Sequence, residues 1–356
     1  MRIQKLSIQN LRNVQTASLF PGKGINIIQG NNGAGKTTVL ESIYLLARAR
    51  AIKSTQHRNL IRHKEDCLTV FSEIVDEQTS IRLGIRKDKK TTLVKKDGQV
   101  ITRLINLARI LPIATITPNI QRILEEGPVH RRKLLNWGLF HVEHQFAETI
   151  TRYNLILKQR NALLVKGSKD LSVWTQQLSD MGERVNQFHS TYLERLKHEM
   201  DLLLKPLDNL KGLSFELYKG WRSDMTLVDS LIQNQRSDQV RHFTSAGPHR
   251  ADIKITFEGH EIRNQFSRGQ KKIITSLMIL AQARLLDISI QKKPILLIDD
   301  MRSELDNSSF ELLFGLIKDY GYQTFLTTLD PLRSLMNHNA GDKMFHVEQG
   351  RVTEQQ

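Results

Sequence analysis

Gly30, Asn31, Asn32, Gly33, Ala34, Gly35, Lys36 and Thr37 fill every fixed position of the run G-x-x-x-x-G-K-[ST]. The chemistry such a run can do is phosphate binding. Its glycines let consecutive backbone N–H groups turn inward around an anion. A helix starting near Lys36 would present the positive end of its dipole to the same anion. Lys36 would reach the β- and γ-phosphates of ATP as a point charge, and the Thr37 hydroxyl would ligate a magnesium ion. Thr38 carries the run into the helix.

Far downstream, the apolar run Ile295 to Ile298 ends in two acids, Asp299 and Asp300. A buried parallel strand delivers carboxylates in this way to the carboxyl edge of a sheet, where ligands bind. Asp299 is placed to partner magnesium, directly or through water. Asp300 is placed to orient or deprotonate an attacking water. Lys36, Asp299 and Asp300 are therefore the expected catalytic set.

Between these motifs, Ser267, Arg268, Gly269 and Gln270 open a long helical pattern. One reading is a serine N-cap and nothing more. The other is that Ser267 and the helix N-terminus grip the γ-phosphate held by another subunit's Lys36. Phosphate loop, downstream Ser-x-Gly-Gln helix and then an acidic strand is the layout of ABC-type ATPases, in which two heads sandwich two ATP molecules.

The elements that must position these groups are legible as hydrophobic patterns. Ile3, Leu6 and Ile8 suggest a first strand, Ile25 to Gln29 a second, and Lys36 to about Arg50 a helix. Val70 to Ile74, Ile81 to Ile85 and Thr91 to Val94 suggest an antiparallel meander. From about Arg131 to Leu204 apolar residues recur at helical spacing, which predicts a helical insertion or short arm. Strand signals return at Leu213 to Leu217, Ile253 to Phe257, Ile295 to Ile298, Gln323 to Thr327 and Lys343 to Val347. Helices are expected from Ser267 to about Leu286 and from Phe310 to Tyr320. The expected class is α/β: a P-loop ATPase head with mixed sheets, split into residues 1–118 and 212–356, with a helical insertion over 119–211.

The chain has 356 residues, 52 Lys and Arg against 37 Asp and Glu, and a net charge of +15. That surplus favours polyanionic partners. The single cysteine, Cys67, excludes an intrachain disulfide and a cysteine-based metal site, and fits a reducing compartment. The amino terminus alternates like a strand and lacks the apolar stretch of a signal peptide. The longest apolar run, Ile273 to Ala281, is too short to span a bilayer. The expectation is a cytoplasmic protein with no membrane partner.

The residues also resemble a specific family, the RecF recombination-mediator proteins of bacteria, with spacing most similar to gammaproteobacterial members. The resemblance rests on Gln9 to Asn13, the phosphate loop running into Leu40-Glu-Ser-Ile43, Ile116 to Pro118 and Gly127 to Arg132. It continues through Leu157 to Ala162, Gly247 to Asp252, Ser267 to Gln270 and Ile298 to Asp306. It implies a protein like the head of SMC-type proteins, without their long coiled coils. Such a protein binds ATP, Mg2+ and DNA, forms a homodimer on ATP and hydrolyses it slowly with stimulation by DNA. With RecO and RecR it helps load recombinase at single-strand gaps, in recombinational repair, replication-fork maintenance and SOS induction. Carried over by position, Arg12 would contact the nucleotide, Ser267, Gly269 and Gln270 would form the trans-acting signature, and Asp306 would lie at the dimer interface. Thr327 or Thr328 would occupy the place where many ABC-type enzymes keep a histidine. Asp300 stands where transporters carry Glu, a shorter reach to water that fits slow turnover. Met301-Arg302 is bulkier and more charged than the family pattern.

Between Glu41 and Glu65 no acidic residue occurs, whereas Arg48, Arg50, Lys53, Arg58, Arg62 and Lys64 all do. They form either a phosphate-backbone track for single- or double-stranded DNA, with little sequence preference, or a solvated basic loop. His130 to Lys133 could touch DNA, close over nucleotide or cap a helix. No base-stacking, helix-turn-helix or zinc-finger pattern accompanies these charges. Two alternatives share the nucleotide motifs: the nucleotide-binding subunit of a membrane transporter and a non-hydrolysing ATP-binding scaffold.

Overall fold

The computed structural model describes residues 1–52, 60–76, 79–103, 105–168, 170–207, 210–263, 265–329, 332, 336 and 341–355. The chain divides into two compact units, Met1–Ile120 with Lys272–Gln356, and Gln121–Lys271.

The first unit contains two six-stranded sheets. One is antiparallel, in the order Val14–Leu19, Arg2–Leu11, Cys67–Asp76, Thr79–Asp88, Thr92–Lys96, Gln99–Val100. The other runs Arg351–Gln355, Lys343–Glu348, Ile25–Gln29, Thr324–Thr328, Ile295–Ile298, Ile113–Ile116 and is parallel except for its carboxyl-terminal hairpin. The central strand Ile295–Ile298 reads as an unbroken apolar run, as expected of a parallel strand covered on both faces. Ile295–Ile298 is buried at every position, and so is Thr324–Thr328.

The helix Lys36–Arg48 has Val39, Leu40, Ile43 and Leu46 in one core cluster with Leu6, Ile8 and Val70 of the antiparallel sheet and Ile28, Leu297 and Phe325 of the parallel sheet. It is buried around nearly its whole circumference, including Thr38, Glu41 and Ser42. A single-faced amphipathic helix fits this run less well than a helix enclosed by layers. Gln323 ties the sheets together: its side-chain oxygen accepts from the Ile3 N–H at 2.7 Å, and its amide nitrogen donates to the Ile3 carbonyl at 2.9 Å.

The second unit carries Pro128–Val142, Phe146–Val165 and the 33-residue helix Ser172–Leu204, which extends about 50 Å at 1.5 Å per residue. It also carries the three-stranded sheet His260–Glu261, Asp252–Phe257, Leu213–Tyr218. It therefore ends at Lys271, not near residue 211 as the loss of helical periodicity predicts. The cause is tertiary: Arg131 makes a bidentate pair with Asp252 at 2.7 and 3.0 Å, and Arg132 donates to the Ala251 carbonyl at 2.6 Å. These bonds fasten the helix Pro128–Val142 to the sheet. They give the basic cluster at His130 to Lys133 a place in this unit's own framework.

The helix Arg268–Ile290 is, among the described residues, long and apolar enough by length and composition to cross a membrane. The apolar run inside it is a core face instead: Ile274, Leu277, Met278 and Ala281 are all fully buried.

Candidate active site

Register places the functional ends of the parallel strands on one edge. Gln29 pairs with Thr328, Ile298 with Leu326, and Ile298 with Ile116. The residues that follow these positions line a cavity of about 410 Å³ holding Arg12, Asn13, Asn31, Asn32, Gly33, Gly35, Lys36, Thr37, Thr38, Pro118, Asp299, Asp300 and Thr327.

The phosphate loop is shaped by its glycines for two different reasons. Gly33 and Gly35 have φ of +78° and +119°, a region costly for residues with a Cβ. Gly30 is a close approach: a Cβ there would fall 2.2 Å from the Val347 carbonyl oxygen. Asn13 then clamps the loop. Its Nδ2 donates to the Gly33 and Ala34 carbonyls at 3.1 and 3.0 Å, and its Oδ1 accepts from the Thr38 hydroxyl at 3.0 Å. The Gly350 N–H donates to the Ala34 carbonyl as well, at 2.8 Å. Because a trans peptide points its carbonyl and its N–H in opposite directions, tying the Ala34 carbonyl to these partners turns the Gly35 N–H the other way.

Lys36 Nζ donates to the Gly30 and Asn31 carbonyls at 2.5 and 3.1 Å. Burial pulls the ammonium below its ordinary pKa, opposed by the charges of Asp300 and then Asp299. The Thr37 hydroxyl donates to Asp299 Oδ1 at 2.9 Å. These two oxygens, from residues 262 apart in sequence, form a hard donor pair of the kind a magnesium ion takes together with phosphate oxygens and waters. Thr327 also donates to Asp299 Oδ1, at 2.9 Å, and its Oγ1 accepts from the Asp300 N–H at 2.9 Å.

The other expected site residues fall as follows. Arg12 lines the cavity, but its guanidinium is engaged by the buried Glu41 of the phosphate-loop helix, with Nη2 donating to Oε1 at 2.8 Å and Nε paired with Oε2. Ser267 and Gln270 form a reciprocal capping box: the Ser267 N–H donates to Gln270 Oε1 at 2.9 Å, and the Gln270 N–H donates to Ser267 Oγ at 3.3 Å. Ser267 and Arg268 are exposed, and Gly269 and Gln270 half-buried. All four belong to the second unit.

Asp306 caps the helix Asn307–Tyr320, accepting from the Ser308 hydroxyl at 2.6 Å and from the Ser309 N–H and hydroxyl at 2.8 Å each. The Ser308 hydroxyl first, then the two Ser309 donors, holds its carboxyl down to about 2. Of the basic stretch, Arg50 and Lys64 are exposed, Arg62 is half-buried and 3.9 Å from Glu65, and Arg48 is half-buried with burial lowering its pKa. Lys53 and Arg58 lie outside the described residues.

Two residues in this geometry lie outside the phosphate loop, the signature and the acidic strand, and the resemblance alone points to them: Asn13, and Thr327 as one of the two threonines at the histidine position. Asn13 was visible only as the last residue of the Gln9 to Asn13 run. The hydroxyl bridge of Thr327 has no local signal, because both of its partners are more than twenty residues away.

Fold and site together define a P-loop ATPase head of the ABC and SMC kind. The family described as RecF/RecN/SMC N terminal domain matches residues 2–354. A protein named DNA replication and repair protein RecF from Shewanella denitrificans is 36% identical over 358 residues, covering 99% of both chains. Its namesake from Stutzerimonas stutzeri is 34% identical, covering 99% of this chain and 98% of the relative. A solved structure of the recombination mediator protein RecF with ATP, of the RecFOR pathway, superposes with a TM-score of 0.86 at 25% identity, covering 99% of this chain and 97% of the other. The Smc head domain of Pyrococcus furiosus shares the fold, with a TM-score of 0.60 at 16% identity over 99% and 96% of the two chains. The chain belongs to the RecF family of DNA replication and repair proteins.

Proposed function

We propose that this chain is an ATP-gated recombination mediator: two copies close on ATP, hold DNA, and reopen when ATP is hydrolysed. The observation that carries the reading is the Thr37–Asp299 oxygen pair beside Lys36 in a cavity at the carboxyl edge of the parallel sheet. That arrangement serves phosphoryl transfer to water, a reaction in which positioning and charge stabilisation do most of the work.

In the proposed cycle, Lys36 and the N–H groups of the phosphate loop bind the β- and γ-phosphates. Thr37 and Asp299 would hold Mg2+, which when bound neutralises charge on those phosphates. Asp300 orients the attacking water and accepts its proton. Ser267, Gly269 and Gln270 of the second copy cover the γ-phosphate through their helix N-terminus, and Asp306 lies near that interface. The reciprocal cap on Ser267 supports this reading by holding an exposed N-terminus in helical form.

DNA is held through its backbone with little sequence preference, and Arg50, Arg62 and Lys64 contribute to that track. RecO and RecR are the expected protein partners, and loading of recombinase at single-strand gaps in the cytoplasm is the expected outcome. ATPase activity is weak and rises on DNA.

The test is ATPase rate per protomer across a protein-concentration series, with and without duplex DNA, for the wild type and Ser267→Arg. A rate that rises with concentration and with DNA, and is lost in the variant, supports the composite site. A concentration-independent rate that survives the substitution overturns it.

A further inference from the structure

The strand Thr324–Thr328 lies between the phosphate-loop strand and the carboxylate strand. Its register sets Leu326 beside Ile298, so the next residue, Thr327, comes level with the acids that end the carboxylate strand. Thr327 is buried, with 1% of its surface exposed. Its one hydroxyl is used twice, donating to Asp299 Oδ1 at 2.9 Å and accepting from the Asp300 main-chain N–H at 2.9 Å. A hydroxyl is the smallest group that can donate and accept at once. Valine copies its shape and can do neither.

The residue it holds is an unusual one. Asp300 has φ 51° and ψ 57°, the left-handed region, at the point where the strand turns into the short 3-10 helix Met301–Glu304. A side chain with a Cβ stays there only when its surroundings fix it. The backbone conformation of Asp300 decides where its carboxylate points. That carboxylate lines the same cavity as Lys36 and is the largest of the charges acting on the Lys36 ammonium.

We propose that Thr327 is a positioning residue for ATP hydrolysis: its hydroxyl locks the Asp300 backbone to the Asp299 carboxylate, so that the water-directing and metal-side carboxylates move as one unit. The proposal rests on the ATPase reading above. Thr327 makes none of the phosphate-loop contacts, so the lock acts on the chemical step and leaves nucleotide binding to Lys36, Thr37 and the loop. Bond making with water tolerates little displacement, and a shift of about 1 Å costs on the order of a hundredfold in rate.

The experiment uses the full-length protein and the variants Thr327→Val, Thr327→Ala and Thr327→Ser. ATPase kinetics, equilibrium binding of a fluorescent ATP analogue with and without Mg2+, and thermal midpoint are measured for each. The expected result is a kcat lowered at least about tenfold in Thr327→Val, with analogue affinity, its Mg2+ dependence and KM changed less than about twofold. Thr327→Ser, which restores the hydroxyl, recovers most of kcat, and Thr327→Ala supplies the same loss of hydroxyl should the valine variant not fold. Unchanged kcat in the folded hydroxyl-less variants overturns the lock while leaving the ATPase reading intact. Parallel loss of binding and kcat, or no recovery in the serine variant, also overturns it, because Thr327 is then only a packing residue. Absence of hydrolysis by the wild type at any concentration removes the ATPase reading, and the lock with it.

Discussion

Thr37 and Asp299 stand 2.9 Å apart through a hydroxyl–carboxylate hydrogen bond, joining the first turn of the phosphate-loop helix to the end of the carboxylate strand. Each contributes one oxygen to the proposed magnesium position, so neither can be replaced by the other. Thr37→Val keeps the shape and removes the oxygen. Its expected effect is a loss of at least about tenfold in Mg2+-dependent affinity for a fluorescent ATP analogue, since even outer partners of a metal site cost that much. Affinity measured in EDTA should fall far less. Equal losses with and without Mg2+ would assign Thr37 to the phosphates and not to the metal.

Asn13 reaches across to two loop carbonyls and the Thr38 hydroxyl, so Asn13→Ala leaves the loop with fewer anchors. Each lost bond is worth about 1 kcal/mol, so ATP affinity is expected to fall by between about fivefold, the value of one bond, and about a hundredfold, the value of all three. Turnover at saturating ATP should stay close to that of the wild type. Titration calorimetry alongside initial rates separates the two quantities, and a variant that binds normally but turns over slowly would move Asn13 from the loop to the chemistry.

How far the site was legible follows from where its information lies. Lys36, Thr37 and Asp299 were readable because one motif has fixed spacing and the other is an apolar run ending in acids, both local patterns. The strands Ile25–Gln29 and Ile295–Ile298 were readable to the residue for the same reason. The parallel strand Ile113–Ile116 is not, since Thr115 interrupts its apolar run and no pair of acids marks its end. Thr327 and Asn13 act on groups set beside them only by sheet register and loop closure, which no periodicity encodes. Arg12 lines the cavity as the resemblance implies, while its pairing with Glu41, a partner 29 positions away, has no signal in the sequence. The compact unit runs past the boundary expected near residue 211, to Lys271, because the sheet that follows is bonded to the helices before it.

Arg160 and Asp238 form an ion pair with no exposed side-chain surface, at 2.9 Å, and Arg160 also donates to the Thr244 hydroxyl at 2.7 Å. Thr244 and Ser245 are bound in turn by Asn161 and Asp238. Arg160→Met leaves the Asp238 charge buried with its cation gone. Loss of one partner of such a pair costs about 3–5 kcal/mol, which urea denaturation of the full chain would register. Arg160→Met combined with Asp238→Leu should recover part of that loss. A single variant as stable as the wild type would show that water reaches the pair.

His189 and His249 lie in the same unit, and burial first of all lowers each to about 4; Arg132 adds to this at His189, while at His249 the bond to the Thr244 carbonyl opposes burial, with smaller lowering effects of Arg250 and Arg132 and a raising one of Asp238. Both are neutral in the fold. An unfolded chain, with its histidines near the ordinary 6.5, binds more protons between these values. Stability is therefore full above about pH 6.5 and falls as pH drops towards 4, by on the order of 3 kcal/mol per histidine. His189→Gln cannot titrate and should remove about half of that slope, whatever its effect on stability at pH 7. The check is a set of urea midpoints from pH 7 to pH 4, and a flat profile in the wild type would count against neutral burial of both rings.

Ser267 caps its helix in a reciprocal bond with Gln270, and this local role must be separated from the proposed contact with a second copy's nucleotide. Aspartate is as good an N-cap as serine, and its charge suits a helix N-terminus. Ser267→Asp should therefore leave the thermal midpoint where it is. The same charge would face the γ-phosphate in a closed dimer, where like charges at contact distance repel. ATP-dependent dimerisation, followed by light scattering, should fall at least about tenfold in apparent association constant, in line with several kcal/mol for juxtaposed like charges. Hydrolysis should lose its dependence on protein concentration. A variant that melts normally and still dimerises on ATP would confine Ser267 to capping and require another surface to complete the site.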